Sequence, residues 1–139
     1  MAVIRSFRDL KVYQAARAAA KQVFEVSRHF PREEKFSLTD QIRRASRSVP
    51  ANIAEAWRKR RYQAAFISKL SDADGEAAEV CSWLDMALDC GYINRTTFDA
   101  LDKRYDHLGA QLRLMMDEPE KWCPAPRIGQ RAKGKEPIE

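Results

Sequence analysis

Between Phe66 and Gly91 the small and apolar residues return at intervals of four and three without a break: Phe66, Leu70, Ala73, Ala77, Val80, Leu84, Ala87, Gly91. An α-helix stacks such a series along one face, whereas a strand would scatter it over both. A stripe of about seven turns demands other helices to cover it, as in a coiled coil or bundle. The rest of the chain has to supply them.

Three further stretches do. Leu38, Ile42, Ala45, Val49, Ile53 and Ala56 share one face of Leu38 to Arg61, with Arg43, Arg47 and Arg58 on the other. Ser37 and Asp40 read as a capping box, which starts this helix near Leu38. The register changes at Arg58-Lys59-Arg60-Arg61, which places the turn at about 59–62. Pro50 lies inside. It has no N–H, so the Ser46 carbonyl loses its partner and a kink is expected, with Asn52 helping to satisfy the freed backbone. Upstream, Val12, Ala16, Ala19, Val23, Val26 and Phe30 form a stripe opened by a Ser6–Asp9 capping box and closed by Phe30-Pro31. Downstream, Phe98, Leu101, Tyr105, Leu108, Leu112 and Met115 form the last stripe. Gly91 closes the helix before it, Asn94 or Thr96 caps it, and it ends near Asp117 ahead of Pro119. Four helices with short connections predict an all-α, antiparallel up-down four-helix bundle in residues 1–118. Residues 119–139 form a tail, flexible or docked on the bundle.

Several classes are disfavoured. No run of about 18 apolar residues is present, and the first residues lack the apolar centre of a signal peptide, so no membrane association and a cytoplasmic location are expected. Cys81, Cys90 and Cys123 are odd in number and form no Cys-x-x-Cys, against a disulfide framework or a zinc site. His29 and His107 have no metal-ligand spacing to each other or to a cysteine. Asp72, Asp74, Glu76 and Glu79 spread around a helix axis and read as solvated or salt-bridged. No phosphate-binding glycine loop or nucleophile elbow occurs. No catalytic residue, cofactor or metal ligand is therefore assigned, and the chain is not read as an enzyme.

Charge is segregated. Residues 36–62 carry seven Lys and Arg against two Asp and Glu, while residues 63–118 carry five against eleven. The basic set is Arg43, Arg44, Arg47, Arg58, Lys59, Arg60 and Arg61. Arginine's planar fork suits phosphates, and Trp57 and Tyr62 flank the second cluster as stacking candidates. The same charges equally fit pairing with the acidic third helix of this or a neighbouring subunit. Asn52 and Glu55 share a side of the second helix; the structural reading is backbone satisfaction by Asn52 and an ion pair from Glu55 to a nearby arginine, the functional one a ligand contact. Trp83, Met86 and Leu114 project away from the core stripes and read as a subunit interface.

With these residues in view, the chain resembles the four-helix-bundle proteins encoded in intervening sequences of bacterial large-subunit (23S) ribosomal RNA genes. The likeness is carried by Phe7-Arg8-Asp9-Leu10-Lys11-Val12-Tyr13, by Leu38-Thr39-Asp40-Gln41-Ile42-Arg43-Arg44-Ala45 leading into Ser48-Val49-Pro50-Ala51-Asn52-Ile53-Ala54-Glu55, and by Gly91-Tyr92-Ile93. It covers about residues 6–117. The family pattern has glycine where this chain has Ala56, so the helix is expected to run straighter or turn later. The resemblance implies a ring-like homo-oligomer, a pentamer. It is also similar to the accessory variability protein of diversity-generating retroelements, which implies DNA or RNA and a polymerase as partner classes. Two functions follow as expectations: non-specific nucleic-acid binding through the basic surface of helix two, or a structural and adaptor oligomer whose charged faces hold subunits or a protein partner.

Overall fold

The computed structural model describes residues 3–125. It holds four α-helices, α1 (Lys11–Ser27), α2 (Leu38–Arg58), α3 (Gln63–Asp89) and α4 (Arg95–Asp117), and no strand among the described residues. Each helix packs on its neighbours in sequence, and α1 closes the bundle against α4. Lys69, early in α3, reaches Glu55, late in α2, at 3.6 Å. Arg113, late in α4, reaches Asp74, early in α3, at 3.3 Å. Successive helices are therefore antiparallel.

The expected stripes form the core. All six residues named on α2 are buried, as are Phe66, Leu70, Ala73, Ala77, Val80, Leu84 and Ala87 of α3. On α4, Leu101, Tyr105, Leu108, Leu112 and Met115 are buried, with Phe98 half-buried at the rim. Ala56 is fully buried and α2 continues past it to Arg58. Gly91 has φ +75°, and the Tyr92 and Gly91 amides donate to the Ala87 and Leu88 carbonyls at 2.9 and 3.0 Å. That is a complete Schellman closure of α3, available to glycine without the left-handed penalty. Asn94 then caps α4 by accepting from the Thr97 amide at 2.8 Å.

Three local expectations need correction. The Ser6–Asp9 capping box forms, but it caps a single 3-10 turn, Phe7–Asp9. Leu10 is extended and buried, and α1 starts only at Lys11. Burial of Leu10 overrides continuation of the helix. At Ser37 no capping box forms: its hydroxyl donates to Glu34 Oε1 at 2.6 Å, and the same oxygen accepts the Leu38 amide at 3.3 Å. Asp40 turns instead to Arg44. Lastly, Asn52 Nδ2 donates to the Ser48 carbonyl at 2.9 Å, not to the Ser46 carbonyl that Pro50 leaves without its amide. An i−4 reach is the geometry open to a side chain on the same helix. Pro50 sits within an otherwise continuous α2.

Of the expected tail, Pro119–Lys121 makes a 3-10 turn, and Trp122 and Cys123 pack on the core. The remainder, 126–139, lies outside the described residues. No helix among the described residues is long and apolar enough to cross a membrane.

Candidate functional site

The first four turns of α2 present Asp40, Arg43, Arg44, Arg47 and Ala51 along the edge away from the core stripe, beside the buried Thr39. Spacings of three and four keep them together. With Lys35 and Phe36 from the preceding turn they line an open groove of 660 Å³. Its charged lining is four cations, Lys35, Arg43, Arg44 and Arg47, against the single carboxylate of Asp40.

These cations are not equivalent. Arg43 is half-buried. Its Nε donates to Ser27 Oγ at 2.8 Å, and its guanidinium lies 4.6 Å from the Phe24 ring centre. Ser27 is itself buried, so Arg43 staples α2 to the end of α1. Arg47 approaches the same ring at 5.8 Å but stays exposed. Arg44 pairs with Asp40 at 3.6 Å, with both side chains open to water, a geometry that contributes little. Lys35, Arg44 and Arg47 are thus the cations that the groove offers outward.

The second cluster divides in the same way. Arg60 lies 3.8 Å from the Trp57 ring centre and its Nη1 donates to the Trp57 carbonyl at 2.7 Å, where a cation also favours the helix C-terminus. Trp57 is buried, so its expected role as a stacking surface is corrected: it is core, and its free face is taken by Arg60. Tyr62 remains 64% exposed. Arg58, Lys59 and Arg61 are exposed and make no ion pair among the described residues. Arg47 and Arg58 are eleven residues apart, three helical turns, which puts them on one edge about 16 Å apart. Ala51 and Ala54 lie between them on that edge, and Glu55, to one side of it, pairs with Lys69 at 3.6 Å, not with the arginine expected. The edge is therefore two basic patches with an uncharged gap.

Three of the four clustered acidic residues of α3 have structural partners. Asp72 pairs with Lys69, Asp74 with Arg113, and Glu79 accepts the Trp83 indole N–H at 3.3 Å. Burial and the Glu79 and Asp72 charges push the Glu76 carboxyl upward. Burial, then Asp102 and Asp85, push the Cys81 thiol up to about 11, so it stays protonated and unreactive at neutral pH. No group of three His, Cys, Asp or Glu among the described residues is placed to hold a metal. Trp83 is half-buried, whereas Met86 and Leu114 are 46% and 58% exposed. They do not form one patch. Trp83 and Met86 border Phe36 beside the end of α3, while Leu114 lies with Ile4 and Trp122 at the other end of the bundle.

Lys35 and Phe36 were absent from the residues that sequence reasoning selected. The available signal was Phe36 itself, an aromatic belonging to no helical stripe and placed beside a lysine in a turn.

Comparisons with known proteins agree with this architecture. A crystal structure from the S23 ribosomal protein family of Bacteroides thetaiotaomicron, described as a protein with unknown function, superposes with a TM-score of 0.69 at 27% identity, covering 76% of this chain and 97% of that one. No curated protein matches. The model of the 23S rRNA-intervening sequence protein family matches residues 8–113. The chain belongs to the 23S rRNA-intervening sequence protein family.

Proposed function

We propose that this protein is a non-enzymatic nucleic-acid-binding bundle, whose contact surface is the basic edge of α2. The observation that carries the reading is the groove in which Lys35, Arg43, Arg44 and Arg47 face one carboxylate. Phosphates spaced along a strand meet cations spaced along a helix edge, and affinity comes from released counterions without sequence preference. Arg58, Lys59 and Arg61 extend the surface by about three turns beyond Arg47. Replacing Lys35, Arg44 and Arg47 together by glutamine tests it. Binding of a labelled oligonucleotide at low salt should fall at least about tenfold while helicity is kept. Unchanged affinity rejects the groove as the site.

A second reading, assembly, rests on a separate observation. Met86 and Leu114 are exposed apolar residues at opposite ends of the bundle. Two unlike patches favour head-to-tail association, which closes into a ring when the rotation permits. A ring would repeat the basic groove and raise avidity for a polyanion. Sedimentation velocity of the Met86→Glu and Leu114→Glu variants tests it: both should dissociate, and a monomeric wild type contradicts it.

A further inference from the structure

We infer that the groove takes nucleic acid with unpaired bases, and that Phe36 is the platform on which a base stacks. This rests on the polyanion reading above and adds the class of strand.

Phe36 is 86% exposed, more than any other large apolar residue described. Its position explains why. It immediately precedes Ser37, the N-cap of α2. An apolar residue there commonly folds down onto the fourth helical residue, the hydrophobic staple. In this chain that residue is Gln41, which offers no apolar partner. The ring therefore stands off the bundle, leaving an aromatic face that folding does not use.

Charge identifies the occupant. Phe36 lines the basic groove together with Lys35, Arg43, Arg44 and Arg47, and the Lys35 Nζ lies 5.4 Å from its ring centre. An apolar peptide would gain nothing from those cations. A polyanion carrying flat rings uses both features at once: phosphates meet Lys35, Arg44 and Arg47, and a base meets the ring. A base inside a duplex is already stacked on both faces, so only an unpaired one is free to lie on Phe36.

The test compares a short labelled oligothymidine with an oligomer of equal length that is abasic throughout, and with a blunt duplex, in one low-salt buffer. The phosphates of the two single strands are the same. The oligothymidine should bind about tenfold more tightly than the abasic strand. Phe36→Ala should remove that difference and leave abasic binding unchanged, while Phe36→Trp should keep it. The exposed ring makes loss of fold in Phe36→Ala unexpected; circular dichroism and sedimentation of each variant establish that fold and assembly are retained. Equal binding of both strands, or a Phe36→Ala variant that still prefers the oligothymidine, overturns the inference and leaves the polyanion reading standing. A duplex preferred over the oligothymidine also overturns it. No binding of any probe overturns both. A Phe36→Ala variant that changes assembly instead of base preference would assign the ring to a contact between copies and overturn the inference.

Discussion

The Tyr92 hydroxyl donates to Glu34 Oε2 at 2.8 Å across 58 residues of sequence. The other oxygen of the same carboxylate accepts the Ser37 hydroxyl and the Leu38 amide. One side chain thereby joins the α1–α2 turn, the start of α2 and the α3–α4 hinge. Phe30 and Tyr92 pack their rings at 5.7 Å beside it.

This pairing predicts pH dependence at both extremes. The hydrogen bonds from Ser37, Tyr92 and Leu38 hold the Glu34 carboxyl below its ordinary 4.5. A depressed carboxyl contributes stability that is present above pH 4.5 and is lost as pH falls through the folded value. Glu34 in turn raises the Tyr92 phenol from 10 to about 12, so that contribution is complete below pH 10 and fades as pH rises toward 12. Glu34→Gln should lower the melting temperature at neutral pH and return one tyrosine titration toward 10, read by ultraviolet difference spectra. An unchanged set of tyrosine titrations would show that the pair does not form in solution.

Arg43 and its neighbours should separate structure from binding. Arg43→Ala removes the bond to Ser27 and the contact with Phe24, and should cost about 1–2 kcal/mol in urea unfolding. Arg44→Ala and Arg47→Ala should each change stability by less than about 0.5 kcal/mol while weakening oligonucleotide binding. Equal stability losses at all three positions would contradict a structural Arg43 beside outward Arg44 and Arg47.

Tyr105 is 2% exposed and its hydroxyl has no hydrogen-bond partner among the described residues. Burial pushes its titration far above the ordinary range. A buried hydroxyl without a partner costs about 1–3 kcal/mol, so Tyr105→Phe should raise stability by about 1 kcal/mol. A destabilised variant would mean that the hydroxyl is bonded in solution.

Gly109 is buried within α4, and a Cβ there would lie 3.0 Å from Arg113 Nη1 and 3.2 Å from Asp74 Oδ1. The missing side chain lets the Arg113–Asp74 pair lie across the helix. Gly109→Ala gains about 0.8–1 kcal/mol of helix propensity and displaces an exposed ion pair of about 0.2–1 kcal/mol. The melting temperature should hold or rise slightly. A marked fall would show that the pair is worth more than exposed pairs generally are.

The helices were legible because each core stripe is a local pattern that one face of one helix has to satisfy. Phe66 to Ala87 is the clearest case, with no polar intrusion and every position buried. The Gly91 closure was legible for the same reason, and the cap of α4 was narrowed to Asn94 or Thr96, of which Asn94 makes the bond. The contacts that join elements were not. Nothing near Glu34 points to Tyr92, and nothing near Arg43 points to Ser27, because tertiary packing alone brings them together. The basic set was visible as composition, but its division into structural Arg43 and Arg60 and outward Arg44, Arg47, Arg58, Lys59 and Arg61 depends on where Phe24 and Trp57 lie. Trp57 looked like a stacking surface because its cluster is charged, yet it falls four residues after Ile53 and turns inward with it.

The most direct measurement is the affinity of a labelled oligothymidine across a salt series. Engagement of three phosphates by Lys35, Arg44 and Arg47 predicts that the groove contributes about −2 to the slope of log K against log salt for a single strand. The Lys35, Arg44 and Arg47 to glutamine variant should lose that contribution, its slope becoming shallower by about 2. No binding at low salt, or one slope shared by both proteins, would contradict nucleic-acid contact through this edge of α2.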